Sequence, residues 1–183
     1  MAHRRKIIAL IATSADGFIA RSDGSVDWLD RPAPKGHYGM AAFYKSIDTI
    51  LWGRKTYDVV LEFQKKGVPG SAFDPNVKNY LFSRTPALSP AKGVQLVNEP
   101  VKSFATRLRR QKGKNIWMMG GAGIIASFLD AGEIDEFKIH VIPVFIGEGI
   151  PLIAPARRTV PLKLLASKKY SDGVLEHHYS LYK

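Results

Sequence analysis

The sequence predicts an α/β domain, a mostly parallel sheet flanked by helices and extended by an antiparallel edge. Three observations predict it. Short apolar runs alternate with helix-patterned segments over two thirds of the chain, the order that builds parallel strands joined by helical crossovers. The last third changes texture and reads as successive strands. Finally, 183 residues at 45% hydrophobic and 23% charged suffice for a full core, which excludes disorder and a fibrous repeat.

Each element follows from its local pattern. Ile7-Ile8-Ala9-Leu10-Ile11-Ala12 is a short apolar run entered from basic residues, as expected of a strand buried on both faces. Asp16-Gly17 and Asp23-Gly24 are turn signals after it. Pro32, Pro34, Gly36 and Gly39 make the next stretch a loop, Met40 to Tyr44 reads as a short helix, and Thr49 to Trp52 as a second buried strand. A helix starts after Gly53 and fades by Gly67. Asn79 to Phe82 and Val94 to Val97 are strands, and Ser103 to Arg110 is a helix with Phe104 and Leu108 four apart on one face. Ile116 to Met119 is a strand and Gly123 to Leu129 a helix. Phe137 to Ile146 reads as one long strand, followed by Leu162 to Tyr170 and Gly173 to Tyr182 about a Ser171-Asp172-Gly173 turn. With no repeat or composition break, residues 1–183 are expected to form a single domain.

Composition narrows the chemistry. The chain has no cysteine, which removes disulfides, thiolate nucleophiles and Cys-based zinc centres. His3, His37, His140, His177 and His178 show no metal-ligand spacing, so no metal is expected and each is read as a surface or packed residue. No apolar run approaches the roughly 20 residues of a membrane helix, and the stretch after the basic N-terminus is too short for a signal peptide; a cytoplasmic protein is expected. Twenty-seven Lys and Arg against sixteen Asp and Glu leave +11, an excess that asks for a nucleic acid or a phosphorylated small molecule. The densest basic group, Arg107, Arg109, Arg110, Lys112 and Lys114, has no aromatic residue to stack on single strands and is expected to be a solvated helix face with its exit loop.

Three strands end in small or polar residues that open the next segment. Trp52 is followed by Gly53-Arg54-Lys55-Thr56, Phe82 by Ser83-Arg84-Thr85, and Met119 by Gly120-Gly121-Ala122-Gly123. In an open α/β sheet, ligands bind beyond the carboxyl ends of strands, where exposed N–H groups and helix dipoles favour phosphate. Arg54, Lys55 and Arg84 add charge, and a guanidinium can grip phosphate through two hydrogen bonds. Gly121 to Ala126 also fits G-x-G-x-x-A, but the acidic residue a doubly wound fold wants about 20 positions later is missing from Val141-Ile142-Pro143-Val144. Those glycines serve either close approach to a pyrophosphate or tight packing. Nucleophile-elbow, zincin and P-loop motifs are missing from the sequence.

Ile11 to Ala20 with its Ser14-Ala15-Asp16-Gly17 core, then Trp52-Gly53-Arg54-Lys55-Thr56-Tyr57, then Met119-Gly120-Gly121-Ala122-Gly123, resemble dihydrofolate reductase in that order. They are still more similar to the reductase domain of bacterial riboflavin biosynthesis, which shares its fold; Pro143 to Leu152 resembles that branch's late-strand signature. The resemblance spans Ile7 to Tyr182. It implies a three-layer α/β/α fold with a mixed sheet of about eight strands, a homodimer, and NADPH as cofactor. By the same resemblance, Ala12 and Ile19 would line the nicotinamide. Gly53, Arg54, Lys55 and Thr56 would hold the pyrophosphate and adenosine side, Ser83 and Arg84 the 2′-phosphate, and Gly121, Ala122, Gly123, Ile124 and Ile125 the remaining phosphate and ribose. A cis peptide would join Gly120 and Gly121.

On the substrate side the chain departs from both branches. Dihydrofolate reductases carry a carboxylate on the first helix, and Arg31 to Ile47 contains none; riboflavin reductases carry Glu before the glycine pair, where this chain has Met119. The reading is therefore an NADPH-dependent reductase resembling 5-amino-6-(5-phosphoribosylamino)uracil reductase, acting on a small polar heterocyclic or sugar-bearing substrate. Because the cofactor carries the hydride, no strong acid or nucleophile is required. Ser14, Asp16, Trp28 and Tyr57 are the substrate-side candidates because they flank the expected nicotinamide position. One alternative is dihydrofolate reductase activity with an acid such as Asp27 or Asp30. The other is a basic nucleic-acid-binding protein on a degenerate reductase fold.

Overall fold

Residues 4–68, 71, 73–85 and 88–182 are described by a computed structural model. In chain order the elements are β1 (Ile7–Ser14), β2 (Phe18–Ala20), α1 (Met40–Lys45), β3 (Ile47–Gly53), α2 (Arg54–Lys65), β4 (Lys78–Phe82) and β5 (Val94–Val97). They continue with α3 (Val101–Arg110), β6 (Asn115–Gly120), α4 (Ala122–Asp130), β7 (Glu136–Ile142), β8 (Ile150–Pro151), β9 (Leu162–Lys169) and β10 (Leu175–Leu181). Single 3-10 turns at Asp27–Leu29 and His37–Gly39 precede α1.

The main sheet runs β5-β4-β3-β6-β1-β7-β10-β9. Its first six strands are parallel, and β10 and β9 close it antiparallel. Alternation along each central strand feeds two cores. Ile7, Ala9, Ile116 and Met118 face α3 and α4, while Ile8, Leu10, Ile50 and Trp117 face α1 and α2. This two-sided burial gives the α/β/α dihydrofolate reductase-like layering.

Two local expectations change. The long strand from Phe137 stops at Ile142, because Pro143 brings no N–H to the ladder. The chain then turns back, and Val144 accepts a bond from the Ala15 N–H at 2.8 Å. A ribbon of β2 and β8 was not foreseen; it pairs Phe18 with Pro151 and Ala20 with Ile150. Among the described residues, no helix is long and apolar enough to cross a membrane.

The basic cluster also needs correction. Arg109 is not on a solvated face: its side chain is 9% exposed and donates to Asp135 Oδ2 (2.5 Å), Glu133 O (2.7 Å) and Arg5 O (2.8 Å). Arg5, 1% exposed, pairs with Asp48 and donates to Thr49 Oγ1, Lys114 O and Leu108 O. These guanidiniums tie together the amino ends of β1, β3, β6 and β7. Fixed carbonyl and carboxylate partners satisfy their donors, the condition for burying charge.

Candidate functional site

The three strand ends picked out by sequence lie side by side. β3 pairs with β4 through Gly53 and Phe82, and with β6 through Trp52 and Gly120. All three are parallel, so their carboxyl ends open on one edge. A Cβ placed on Gly53 would meet Ile124 Cγ2 at 2.9 Å and the main chain of Gly120 and Gly121 at 3.1 Å. One on Gly121 would meet Thr56 Oγ1 at 3.0 Å and Ile19 Cδ1 at 3.4 Å. The two glycine tips are therefore in main-chain contact, with Ile19 of the β2 segment closing over them. The Gly120–Gly121 peptide is cis.

Two helices begin here. Gly53 and Gly121 are the N-caps of α2 and α4, both extended; neither helix start has a side-chain cap or an acidic residue in its first turn. Such starts present free N–H groups and the positive end of the helix dipole. Arg54 is half-exposed and held by Asp58 at 2.7 Å one turn on. Lys55 and Arg84 are exposed and carry no ion pair among the described residues. Ser83 follows β4, and its hydroxyl accepts the Thr85 N–H at 3.1 Å. Backbone donors, unopposed cations and glycines with no room for a side chain fit a polyphosphate group. Gly53, Thr56, Gly120, Gly121, Ile124 and Ile125 would hold it, with Arg84 at one end.

Beside this edge, the end of β1 is fixed by its own side chains. Buried Ser14 donates to Asp16 Oδ1 at 2.5 Å, and Asp16 Oδ2 accepts the Ile146 and Gly147 N–H groups at 3.1 and 2.8 Å. The Ser14 hydroxyl and these amides hold the Asp16 carboxyl below its ordinary range, against an opposing effect of desolvation. Ser14 and Asp16 thus pin the 143–149 loop over the tip of β1. Trp28 is buried in a cluster with Ile142 and Val174, against which Ala12, Tyr38 and Tyr170 pack, and its Nε1–H has no acceptor among the described residues.

Tyr57 does not join this group, a correction to its placement beside the nicotinamide. It is 2% exposed, stacks on Phe73 at 5.4 Å, and its hydroxyl accepts the Ala91 N–H. One residue beyond Thr56 on a helix turns a side chain by about 100°, from the groove into the core. Asp27 and Asp30 are exposed, and Asp27 is gripped by Arg21 at 2.6 and 2.8 Å. His3 lies outside the described residues.

A cavity of about 410 Å³ lies on the α1 and α2 face of the sheet, with Tyr44, Trp52, Phe73, Trp117 and Met119 among its walls. Met119 directly precedes the glycine pair, so aromatic space runs up to the phosphate-accepting edge. Four residues not singled out by sequence, Tyr38, His140, Tyr170 and Glu176, form a polar cluster beside Ala12. His140, whose sequence spacing suits no metal, is a packed residue here, and Tyr38 lies in the proline- and glycine-rich loop, where the sequence carries no signal for it.

The sequence profile of the RibD C-terminal domain matches residues 5–175. The uncharacterized protein YwjB of Bacillus subtilis (strain 168) is 38% identical over 174 residues, 95% of this chain and 97% of that protein. Among solved structures, a candidate riboflavin biosynthesis protein from Shewanella sp. PV-4 superposes with a TM-score of 0.83 at 28% identity, covering 97% of this chain and 99% of that one. Dihydrofolate reductase from Enterococcus faecalis, solved with NADP(H), superposes at 0.69 with 17% identity over all of both chains, which shows the shared fold.

Proposed function

This chain belongs to the RibD C-terminal domain family, and from that premise we propose that it is an NADPH-dependent reductase. Its substrate is a small polar heterocycle or sugar-bearing compound, as for 5-amino-6-(5-phosphoribosylamino)uracil reductase. One observation carries the reading. Three neighbouring strand ends, two with uncapped helix starts and contacting glycines, converge on one edge with Arg84 beside them.

Bound NADPH would supply hydride; the chain's residues bind and orient. Main-chain N–H groups at Gly121 and Ala122 and at Gly53 and Arg54 would hold the pyrophosphate, and Arg84 with Ser83 the 2′-phosphate. Ala12 and Ile19 would flank the nicotinamide, and Asp16 would keep the 143–149 loop over it. The aromatic cavity would take the body of the substrate. Titration followed by NADPH fluorescence tests this. Saturation at micromolar cofactor, a binding free energy near about −8 kcal/mol, is expected; no saturation overturns the reading. Nucleic-acid binding instead requires a low-salt gel shift, and none is expected.

A homodimer and a cytoplasmic location belong to the same proposal. The dimer is supported by β9, an edge strand exposed along its whole length that carries Leu162, Leu164 and Leu165 on the surface, a feature that favours pairing. Sedimentation should give a dimer that Leu164→Glu dissociates; a monomeric wild type contradicts it.

A further inference from the structure

Gly36, His37, Tyr38 and Gly39 have successive φ values of 87°, 44°, 57° and 76°. Glycine adopts this left-handed conformation freely, whereas histidine and tyrosine do so against their own preference. Strain of this kind persists only where surrounding contacts hold it, and it concentrates at functional sites. Here the contacts hold Tyr38. Its hydroxyl donates to Asp172 Oδ2 at 2.5 Å, its ring lies 5.6 Å from His140 and 5.1 Å from Tyr170, and its carbonyl is 3.1 Å from the Tyr170 hydroxyl. Asp172 is in turn paired with Arg31 at 3.5 Å.

Beneath Tyr38, His140 and Glu176 form a pair. His140 on β7 is in register with Ala12 on β1 and with Glu176 on β10, so the three side chains share one face of the sheet. His140 is 5% exposed, and its Nε2 lies 3.0 Å from Glu176 Oε2, which also accepts from the Tyr170 hydroxyl at 2.8 Å. Burial pushes the Glu176 carboxyl up, but the Tyr170 and His140 hydrogen bonds and the charges of His140 and Lys138 bring it below its ordinary range. Burial and Glu176 push the Tyr170 hydroxyl far up, so it remains a donor. A carboxylate only accepts, so Nε2 carries the proton in this contact, and Nδ1 is left without a hydrogen bond among the described residues. Lys168 lies over the Tyr170 ring at 4.5 Å, and β1 contributes no charged group, only Ala12 and Ser14. The Trp28 indole, packed in the same cluster, adds a buried donor with no acceptor among the described residues.

We propose that His140, held by Glu176 and roofed by Tyr38, is the proton donor of this site for a substrate reduced at a C=N or C=O bond. The inference rests on the reductase reading above. The substrate carbon gains hydride from the reduced nicotinamide, and the π electrons of the broken double bond pass to the heteroatom. That atom takes the Nδ1 proton of the His140 imidazolium, which leaves a neutral ring with its Nε2–H still on Glu176, and solvent then returns a proton to Nδ1; NADPH, one proton and substrate become NADP⁺ and the reduced product.

Calorimetry in buffers of different ionisation enthalpy, with NADPH and NADP⁺ as probes, tests this without a substrate. The oxidised nicotinamide carries a positive charge that the reduced ring lacks, so it repels an adjacent imidazolium. The phosphates are common to both cofactors, and their protons cancel in the difference. NADP⁺ binding should therefore release more protons than NADPH binding. The difference should vanish in His140→Gln and shrink in Glu176→Gln, with NADPH affinity within about twofold of wild type. Glu176→Gln also serves if His140→Gln fails to fold. Equal proton counts for the two cofactors, or a difference that survives His140→Gln, overturns the proposal while leaving the reductase reading intact. If neither cofactor binds, the reductase reading falls and this proposal with it.

Discussion

The two ends of the parallel strands use the same chemical group in opposite ways. At the amino ends, Arg5 and Arg109 are buried and their donors end on fixed carboxylates and carbonyls. At the carboxyl ends, Arg84 and Lys55 are exposed without ion pairs among the described residues, next to helix starts that have no caps. A guanidinium whose hydrogen bonds are all made within the chain contributes stability and can bind nothing else. One left open beside free N–H groups contributes little to stability and is available to an anion. Net charge alone cannot tell these apart; the count of internal partners can.

The largest expected effect lies at the amino ends. Arg5→Met should lower unfolding free energy by about 3–5 kcal/mol, since it removes the buried guanidinium that Asp48, Thr49 and the Lys114 and Leu108 carbonyls share. Urea denaturation measures it, and NADPH affinity of the folded fraction should not change. Next, Gly53→Ala forces a methyl to 2.9 Å from Ile124 Cγ2 and 3.1 Å from the Gly120–Gly121 main chain. It should cost about 1–3 kcal/mol in stability and weaken NADPH roughly tenfold, a coupling that sets the two ends apart. Arg84→Ala should weaken NADPH about tenfold, leave NADH within about twofold, and leave the denaturation midpoint in place.

The smallest effect is a pH dependence at the amino ends. Burial raises the Glu136 carboxyl, but hydrogen bonds from Lys6 and His178 outweigh it and hold the group below its ordinary 4.5. A group depressed on folding stabilises above its unfolded value, and that contribution is lost as pH falls through the folded one. Glu136→Gln should therefore cost about 1 kcal/mol at neutral pH, and the gap to wild type should close in the window below pH 4.5. A gap that stays constant to low pH would remove the ion-pair account of this end.

What the sequence revealed and what it hid divide along the same line. Ile7 to Ala12, Thr49 to Trp52 and Ile116 to Met119 were legible as strands because burial on both faces demands unbroken apolar runs. The glycine tips were legible because no other residue fits where main chains touch. The β2–β8 ribbon was not, since three residues paired with two, one of them Pro151, carry no period. Tyr57 was misplaced because its neighbours Arg54 and Thr56 face the edge while it turns inward. Arg109 looked like its solvated neighbours until Glu133 and Asp135 were brought against it from beyond α4. The cluster around His140 was hidden for another reason. It joins β7, β10 and a left-handed turn, and nothing in Gly36-His37-Tyr38-Gly39 signals that its two middle residues share the glycines' conformation. The carboxylate missing from Arg31 to Ile47 has no counterpart in Asp27 or Asp30, which are exposed; a carboxylate on the Ala12 face comes instead from Glu176, far along the chain.

A crystal structure with NADP⁺ bound tests the central claim most directly. The pyrophosphate should rest on the N–H groups that open α2 and α4, the 2′-phosphate against Arg84 and Ser83, and the nicotinamide beside Ala12. Phosphates seated instead on the exposed basic face of α3, at Lys102, Arg107 and Arg110, would contradict it.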